Sequence, residues 1–279
     1  MFYWSFEVIA KVDDKFSYSS ATCGVNFTFT TIGEQLFHMA ETMPDKVMFI
    51  FHKNGGLRLT YGSLKEQAVR LAQNFMAIGL KQGDRIAQLL PNSPELLISC
   101  FASALIGLIV VPLDSEFDAV ELEFMIKKTE PAAALVLYSD EFKPTADELF
   151  PNLRSFQKGE YDSEKFTNLK HLIYINAQSQ SGINSQNVWS YDELANNSLN
   201  QNQKEFPIIN PEDTFLIMFT VNIIYINLCN FIAFNHHEYF CFVFYFKCQN
   251  LSRVRLADPK VCLLYFRKQK SCYNIFVAI

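Results

Sequence analysis

Along the first 220 residues, apolar positions recur with two spacings that alternate. In SLKEQAVRLAQNFMAIGL (63–80), Leu64, Ala68, Leu71, Phe75 and Ile78 fall on one face of a helix. Ser63 is placed to cap that helix, Glu66 completes a capping box, and Gly79 stands where it should end. IGEQLFHMAETM (32–43) repeats the spacing with Ile32, Leu36, Met39, Ala40 and Met43, and Pro44 stops it. DAVELEFMIKKTEP is amphipathic, with Asp118 and Glu121 as an N-terminal capping pair and Pro131 as its stop. SPELLISCFASALIG (93–107) is apolar on nearly every side, which predicts a helix buried all round.

Between these helices lie short runs of strand formers: RIAQLL (85–90), IVVPL (109–113), AALVLYS (133–139), HLIYIN (171–176) and DTFLIMFT (213–220). Strand and helix in alternation predict an α/β fold, a parallel or mixed sheet with helices on both faces. KVMFIFHKNGGLRLTY predicts a hairpin turning at Asn54-Gly55, a dipeptide that accepts positive φ. Stretches 141–168 and 176–206 are more polar; within the second, NAQSQSGINSQN reads as a surface loop and WSYDELANNSLNQNQ as a short helix followed by more loop. Residues 1–30 give no clear periodicity, and no internal repeat is visible.

Composition changes abruptly after residue 220. Residues 221–279 hold seven Lys+Arg against two acids, Glu238 and Asp258; the first 220 therefore hold 17 bases against 27 acids. Five of the seven cysteines (Cys229, Cys241, Cys248, Cys262 and Cys272) lie in this tail, and the last glycine of the chain is Gly182. In the run 221–246, 17 of 26 residues are Phe, Tyr, Ile or Asn, all encoded by A/T-rich codons, and Val-Asn can be spelled by GTAAAT, which looks like an intron start. The expected organisation is a poorly defined segment 1–30, a domain 31–220, and a tail 221–279 of separate origin, read as translated intron.

The net charge of −5 argues against nucleic acid as the main partner. Only Cys23 and Cys100 precede the tail, which suits a reducing compartment. MFYWSFEVIAKVDDKF has no basic start and no long apolar stretch, so no secretory signal is expected, and the first arginine is Arg58. The run 221–246 is long enough to span a bilayer, but four asparagines and His236-His237-Glu238 interrupt it, so no span is expected. His236-His237-Glu238 has no second cluster at ligand spacing, and no metal site is expected. Gly55-Gly56 belongs to a hairpin turn rather than a phosphate loop, and Asn196-Asn197-Ser198 is a loop rather than a glycan site. Asp84-Arg85 reads as a turn entering a strand, Cys100 as an inert core thiol, and His38 as a helix-surface residue. Glu121, Glu123, Lys127 and Lys128 form a solvated helix face, with Glu123 and Lys127 as an i,i+4 pair.

One long run carries a resemblance: LTYGSLKEQAVRLAQNFMAIGLKQGDRIAQLLPNSPELLISCFASALIGLIVVPLD. Its Thr60-Tyr61, Gly79, Gly83-Asp84-Arg85, Pro91-Asn92, Glu95, Gly107 and Pro112, followed by Glu121-Leu122 and KKTEPAAALV, resemble the adenylate-forming enzymes. That superfamily holds acyl-CoA synthetases, luciferases and peptide-synthetase adenylation domains. SYSSATCGVNFTFTTIGEQL and EFKPTADELFPNL are similar to the medium-chain acyl-CoA synthetases. The resemblance covers residues 17–220, and Asp114-Ser115 departs from the family's usual Asn-Pro. It implies the first subdomain of the family's large domain. It also implies an activity that joins a fatty acid to ATP, with Mg²⁺, and passes the acyl group to coenzyme A.

In that family a Ser/Thr/Gly-rich loop follows a strand like DTFLIMFT and wraps the ATP phosphates. Here Thr220 is followed by Val221-Asn222-Ile223-Ile224. Thr220, at the mouth of the loop, is the one candidate nucleotide contact, and no catalytic residue is assigned. The expectation is an inactive truncated synthetase, with a non-catalytic interaction module as the alternative. A sheet ending at DTFLIMFT is expected to leave an exposed apolar edge. The compartment is taken as cytoplasmic by default, with the mitochondrion as the alternative that the resemblance suggests; acyl chain length and oligomeric state are left open.

Overall fold

A computed structural model describes residues 29–115, 117–175, 186–196, 205–221, 229–235, 265–267, 272–274 and 276–277. The chain begins with α1 (Ile32–Thr42), then a hairpin of β1 (Val47–Phe51) and β2 (Leu57–Thr60). Alternation follows: α2 (Tyr61–Ala77), β3 (Arg85–Leu89), α3 (Pro94–Ile106), β4 (Ile109–Leu113), α4 (Ala119–Thr129) and β5 (Ala133–Leu137). After α5 (Lys143–Leu149) come β6 (His171–Ile175), β7 (Trp189–Ser190), α6 (Tyr191–Asn196) and β8 (Thr214–Val221). The tail contributes β9 (Cys229–Asn235), β10 (Tyr265–Arg267), β11 (Cys272–Asn274) and β12 (Phe276–Val277).

The main sheet has seven strands in the order β7-β6-β5-β3-β4-β8-β9. All its neighbours from β7 through β8 pair in parallel, and β9 runs antiparallel at the edge. The expected mixed α/β sheet is what forms. Alternate residues of each strand serve different faces. On one side Ile86, Val110, Ala133 and Ile173 pack with α1, α2, α3 and α6. On the other, Ala87, Val111, Ala134 and Tyr174 pack with α4 and α5. Burial on both faces is why these strands read as continuous apolar runs.

Caps set the helix limits. The α2 cap falls one turn earlier than expected: Thr60 Oγ1 accepts from Ser63 N at 3.2 Å, and Ser63 Oγ accepts from Thr60 N at 3.0 Å. Thr60 is the last residue of β2 and already extended (φ −86°, ψ 164°), so the strand hands the helix its N-cap. Starting there also buries Tyr61, and Glu66 instead pairs with Arg70 at 2.8 Å. Gly79 ends α2 as expected: its N–H bonds to Met76 O and the Leu80 N–H to Phe75 O. Asp118 and Glu121 cap α4 reciprocally, and Glu123 meets Lys127 at 2.6 Å and Lys165 at 2.8 Å. In the β1–β2 turn the positive φ falls on Gly55 and Gly56, one residue later than the expected pair.

Stretch 141–168 is less loop-like than its polarity suggests. It holds α5, and Phe142, Phe150, Tyr161 and Phe166 bury themselves against the sheet as a satellite of aromatic packing. The edge of β8 is not left open either: β9 pairs with it from Thr214↔Asn235 to Val221↔Cys229. The expected exposed edge is therefore covered at the backbone level, since a β-leaning segment takes up unpaired N–H and C=O groups wherever it meets them. β12 does the same for β1, at Phe49↔Val277 and Ile50↔Phe276.

Gly107 closes α3 with φ +70°. A Cβ there would lie 2.7 Å from Ile209 Cδ1 and 2.8 Å from Gln82 Cγ. Gly107→Ala therefore combines left-handed strain with a clash and is expected to cost about 2 kcal/mol in urea unfolding. His171, at the start of β6, is half-buried, its Nδ1 shielded and without a hydrogen-bond partner among the described residues, and burial lowers its pKa against the pull of Asp84. A histidine kept neutral in the fold takes up a proton on unfolding. Its contribution is thus intact above the ordinary pKa of 6.5 and declines as pH falls below it. His171→Gln should flatten the fall in unfolding free energy between about pH 7 and about pH 5, measured by urea titration.

Candidate functional site

The strand order creates one natural crevice. From β3 the chain passes through α3 to β4 on one side, and from β4 it returns through α4 to β5 on the other side of β3. Helices α3 and α4 accordingly cover opposite faces. At such a switch point the carboxyl ends of the strands diverge from their helices and leave room for a ligand.

The residues at that edge follow β3 (Pro91-Asn92-Ser93), β4 (Asp114-Ser115) and β5 (Tyr138-Ser139-Asp140). Ser93 Oγ accepts from Leu96 N at 3.3 Å and starts α3, with Pro94 at its first position and Glu95 in its first turn. Ser139 Oγ accepts from Phe142 N at 3.3 Å, and the Tyr138 hydroxyl donates to Asp147 at 2.8 Å. Both serine hydroxyls thus already serve the backbone. Asn92 Oδ1 is shielded from solvent and has no hydrogen-bond partner among the described residues. Sequence patterning gives no sign of that orphaned oxygen, because shielding of one atom in a half-buried residue depends on neighbours distant in the chain.

Thr220 lies at the same edge. The β4–β8 register pairs Val110 with Leu216, so Thr220 stands level with Asp114, just past the end of β4. Pro112 supplies no N–H to either neighbour, and the registered β4–β8 pairing is confined to Val110↔Leu216. Thr220 is nevertheless inside a strand: β8 runs on to Val221, and the pair faces Asn230 and Cys229 of β9.

A polyphosphate needs convergent backbone N–H groups, which glycines in unusual φ provide. Among the described residues, the glycines with positive φ are Gly55, Gly56, Gly79, Gly83, Gly107 and Gly159. Gly55 and Gly56 turn the hairpin, Gly79, Gly83 and Gly107 precede β3 and β4, and Gly159 abuts His171 at the start of β6. None is at the carboxyl edge. Among the described residues, the carboxyl edge therefore offers no glycine cradle of the kind a triphosphate needs.

Other singled-out residues have structural placements. Cys100 is buried in α3, its thiol pushed up to about 12 by burial, which suits an inert core thiol. Asp84 accepts from Lys81 N in the turn before β3, and Arg85 opens the strand 3.7 Å from Glu130. His38 is exposed on α1. Asn196 ends α6, while Asn197, Ser198 and His236-His237-Glu238 lie outside the described residues. Among the described residues no group of three His, Cys, Asp or Glu is placed to hold a metal, and no helix is long and apolar enough to cross a membrane.

The model of the family described as AMP-binding enzyme matches residues 36–221, more than half of the chain. This chain belongs to that family. Medium-chain acyl-CoA ligase ACSF2, mitochondrial, of Bos taurus is 29% identical over 167 residues, which is 58% of this chain and 27% of that protein. Its counterpart in Mus musculus is 30% identical over 154 residues, 53% of this chain and 24% of that protein. The chain thus spans about a quarter of the length of these relatives. Among solved structures, the luciferase-like enzyme of the nonluminescent mealworm Zophobas morio superposes with a TM-score of 0.59 at 19% identity, covering 77% of this chain and 45% of that one. That likeness shows a shared fold: the α/β sheet described above is the amino-terminal sheet of an AMP-binding enzyme.

Proposed function

We propose that residues 31–220 are the first subdomain of an ATP-dependent acyl-CoA synthetase acting on fatty acids, and that this chain by itself does not activate its acid. In a complete relative, a carboxylate too unreactive for a thiol would attack the α-phosphorus of ATP, with Mg²⁺, to give an acyl adenylate and pyrophosphate; the coenzyme A thiol would then take the acyl group and release AMP. The observation that carries the proposal is the continuation of β8. The family match stops at residue 221, while Thr220-Val221 remains paired strand and Asn222-Ile223-Ile224 follow. Thr220, level with Asp114 past the end of β4, is the one position kept as a candidate nucleotide contact, and no Ser/Thr/Gly-rich sequence follows it. The tail 221–279 is proposed to be translated intron, and the β8–β9 pairing is compatible with that, because strand addition to an open edge requires no shared ancestry.

Two measurements test this. The purified 279-residue chain, assayed for ATP–pyrophosphate exchange with medium-chain fatty acids and Mg²⁺, should give no exchange above a protein-free control; exchange would overturn the claim of incompetence. Sequencing of mature transcripts across codon 220 should recover a form continuing into a Ser/Thr/Gly-rich loop. Transcripts that uniformly continue into VNIIYIN would sink the intron origin while leaving the enzymatic prediction standing.

A further inference from the structure

Burial alone does not define the rotation of α3. Of its thirteen residues only Glu95 escapes burial. A helix with one apolar stripe settles by turning that stripe inward, whereas a helix apolar on all sides buries nearly the same area at several rotations. The polar atoms beneath α3 match only one of them. Gln88, in the middle of β3 and with 0% exposure, lies on the same face as Ile86, which packs in the α3-side core. Its Nε2 donates to Ser99 Oγ at 2.9 Å, and its Oε1 accepts from the Cys100 thiol at 3.2 Å. The Ser99 hydroxyl donates on to Leu96 O at 2.9 Å, and the Ser103 hydroxyl donates to Ser99 O at 2.7 Å. All four side chains are buried, and each is hydrogen-bonded.

We propose that the Gln88 amide is a register lock that seats α3 on the sheet in a single rotation and thereby fixes the Pro91-Asn92-Ser93 turn at the carboxyl edge. A rotated α3 would keep its apolar burial but strand the amide in an apolar interior, where an unpartnered polar group carries its full desolvation penalty. The correct seating returns only the modest net worth of its hydrogen bonds. The network therefore selects a state more than it stabilises one. This inference is independent of the proposed enzymatic role.

The test uses the isotope-labelled full chain and Gln88→Met, which keeps side-chain length and removes both amide groups. The urea midpoint should stay close to that of the unaltered protein. The amides of residues 94–106 should show more than one set of resonances and lose at least about tenfold in exchange protection relative to α2. Ser99→Ala, which removes the hub of the network with a smaller change in volume, should give the same doubling. Ile98→Val, on α3 but outside the polar set, should keep one set. A single set with unaltered protection in both polar variants overturns the proposal. Doubling in Ile98→Val overturns it too, by showing that any core lesion loosens α3. Failure of both polar variants to fold while Ile98→Val folds would make the amide a stability element and likewise overturn the lock.

Discussion

Replacing Gln88 with glutamate lowers the unfolding free energy by about 4 kcal/mol at pH 7, and most of that loss disappears near pH 4. The substitution is nearly isosteric, so packing stays the same and only the ionisable group is new. Gln88 has 0% exposure, and its two side-chain partners, the Ser99 hydroxyl and the Cys100 thiol, bring no positive charge. A carboxylate there is favoured by nothing except weak donors, and burial pushes its pKa up, as it does for the neighbouring thiol of Cys100. In the unfolded chain the same group titrates near 4.3.

The sign follows from that raised value. Below the unfolded pKa the carboxyl is neutral in both states, and its O–H replaces the amide donor toward Ser99, so little is lost. Above it the unfolded state releases a proton that the folded state retains, and the variant loses about 1.4 kcal/mol for each pH unit until the folded pKa is passed. From 4.3 to 7 that amounts to about 4 kcal/mol, out of a total of about 5–15 kcal/mol for an ordinary domain. The measurement is the difference between variant and unaltered protein in urea unfolding at several pH values, which cancels contributions such as that of His171. A difference that stays flat with pH would show that water or a rearranged side chain reaches position 88.

Gln88 also marks the limit of what the sequence makes legible. The apolar stripe of α2, the stop at Gly79, the Asp118–Glu121 cap and the strand runs are local patterns, and each corresponds to an element of the fold. Gln88 is the polar residue within the RIAQLL strand run, and it is buried because both faces of β3 are covered. Its partner Ser99 is eleven residues away on the next helix, and no local period links the two. The α2 cap was misplaced for a related reason: Ser63 and Glu66 satisfy the motif in isolation, but β2 delivers Thr60 already extended. The helix and aromatic cluster within 141–168 were hidden by charge on their outer faces, where Glu141, Asp147 and Glu148 dilute the apolar signal. The carboxyl edge was legible in part. The family resemblance points to Thr220, which lies level with Asp114, whereas the shielding of Asn92 Oδ1 is set by neighbours distant in the chain.

Phe75→Ala is expected to cost about 3–5 kcal/mol, whereas Phe124→Ala should change stability by less than about 0.5 kcal/mol. Both phenylalanines are on amphipathic helices whose faces the sequence predicts, so the pair asks whether the predicted faces are energetically real. Phe75 is 0% exposed at the end of the stripe Leu64, Ala68, Leu71 on α2, in the core shared with α3 and the sheet. Removing its ring deletes a large apolar transfer term. It also leaves a cavity that cannot collapse easily, because Leu71, Ala72 and Phe101 around the same core are themselves fixed between two helices and a sheet. Phe124 is 49% exposed on α4, with Lys128 Nζ 5.7 Å from its ring centroid, and truncation there opens no void. Urea unfolding of the two variants side by side decides the matter. A small loss for Phe75→Ala would mean that α2 is not packed as a core helix, and with it the seating of α3, which rests against α2, would lose its support.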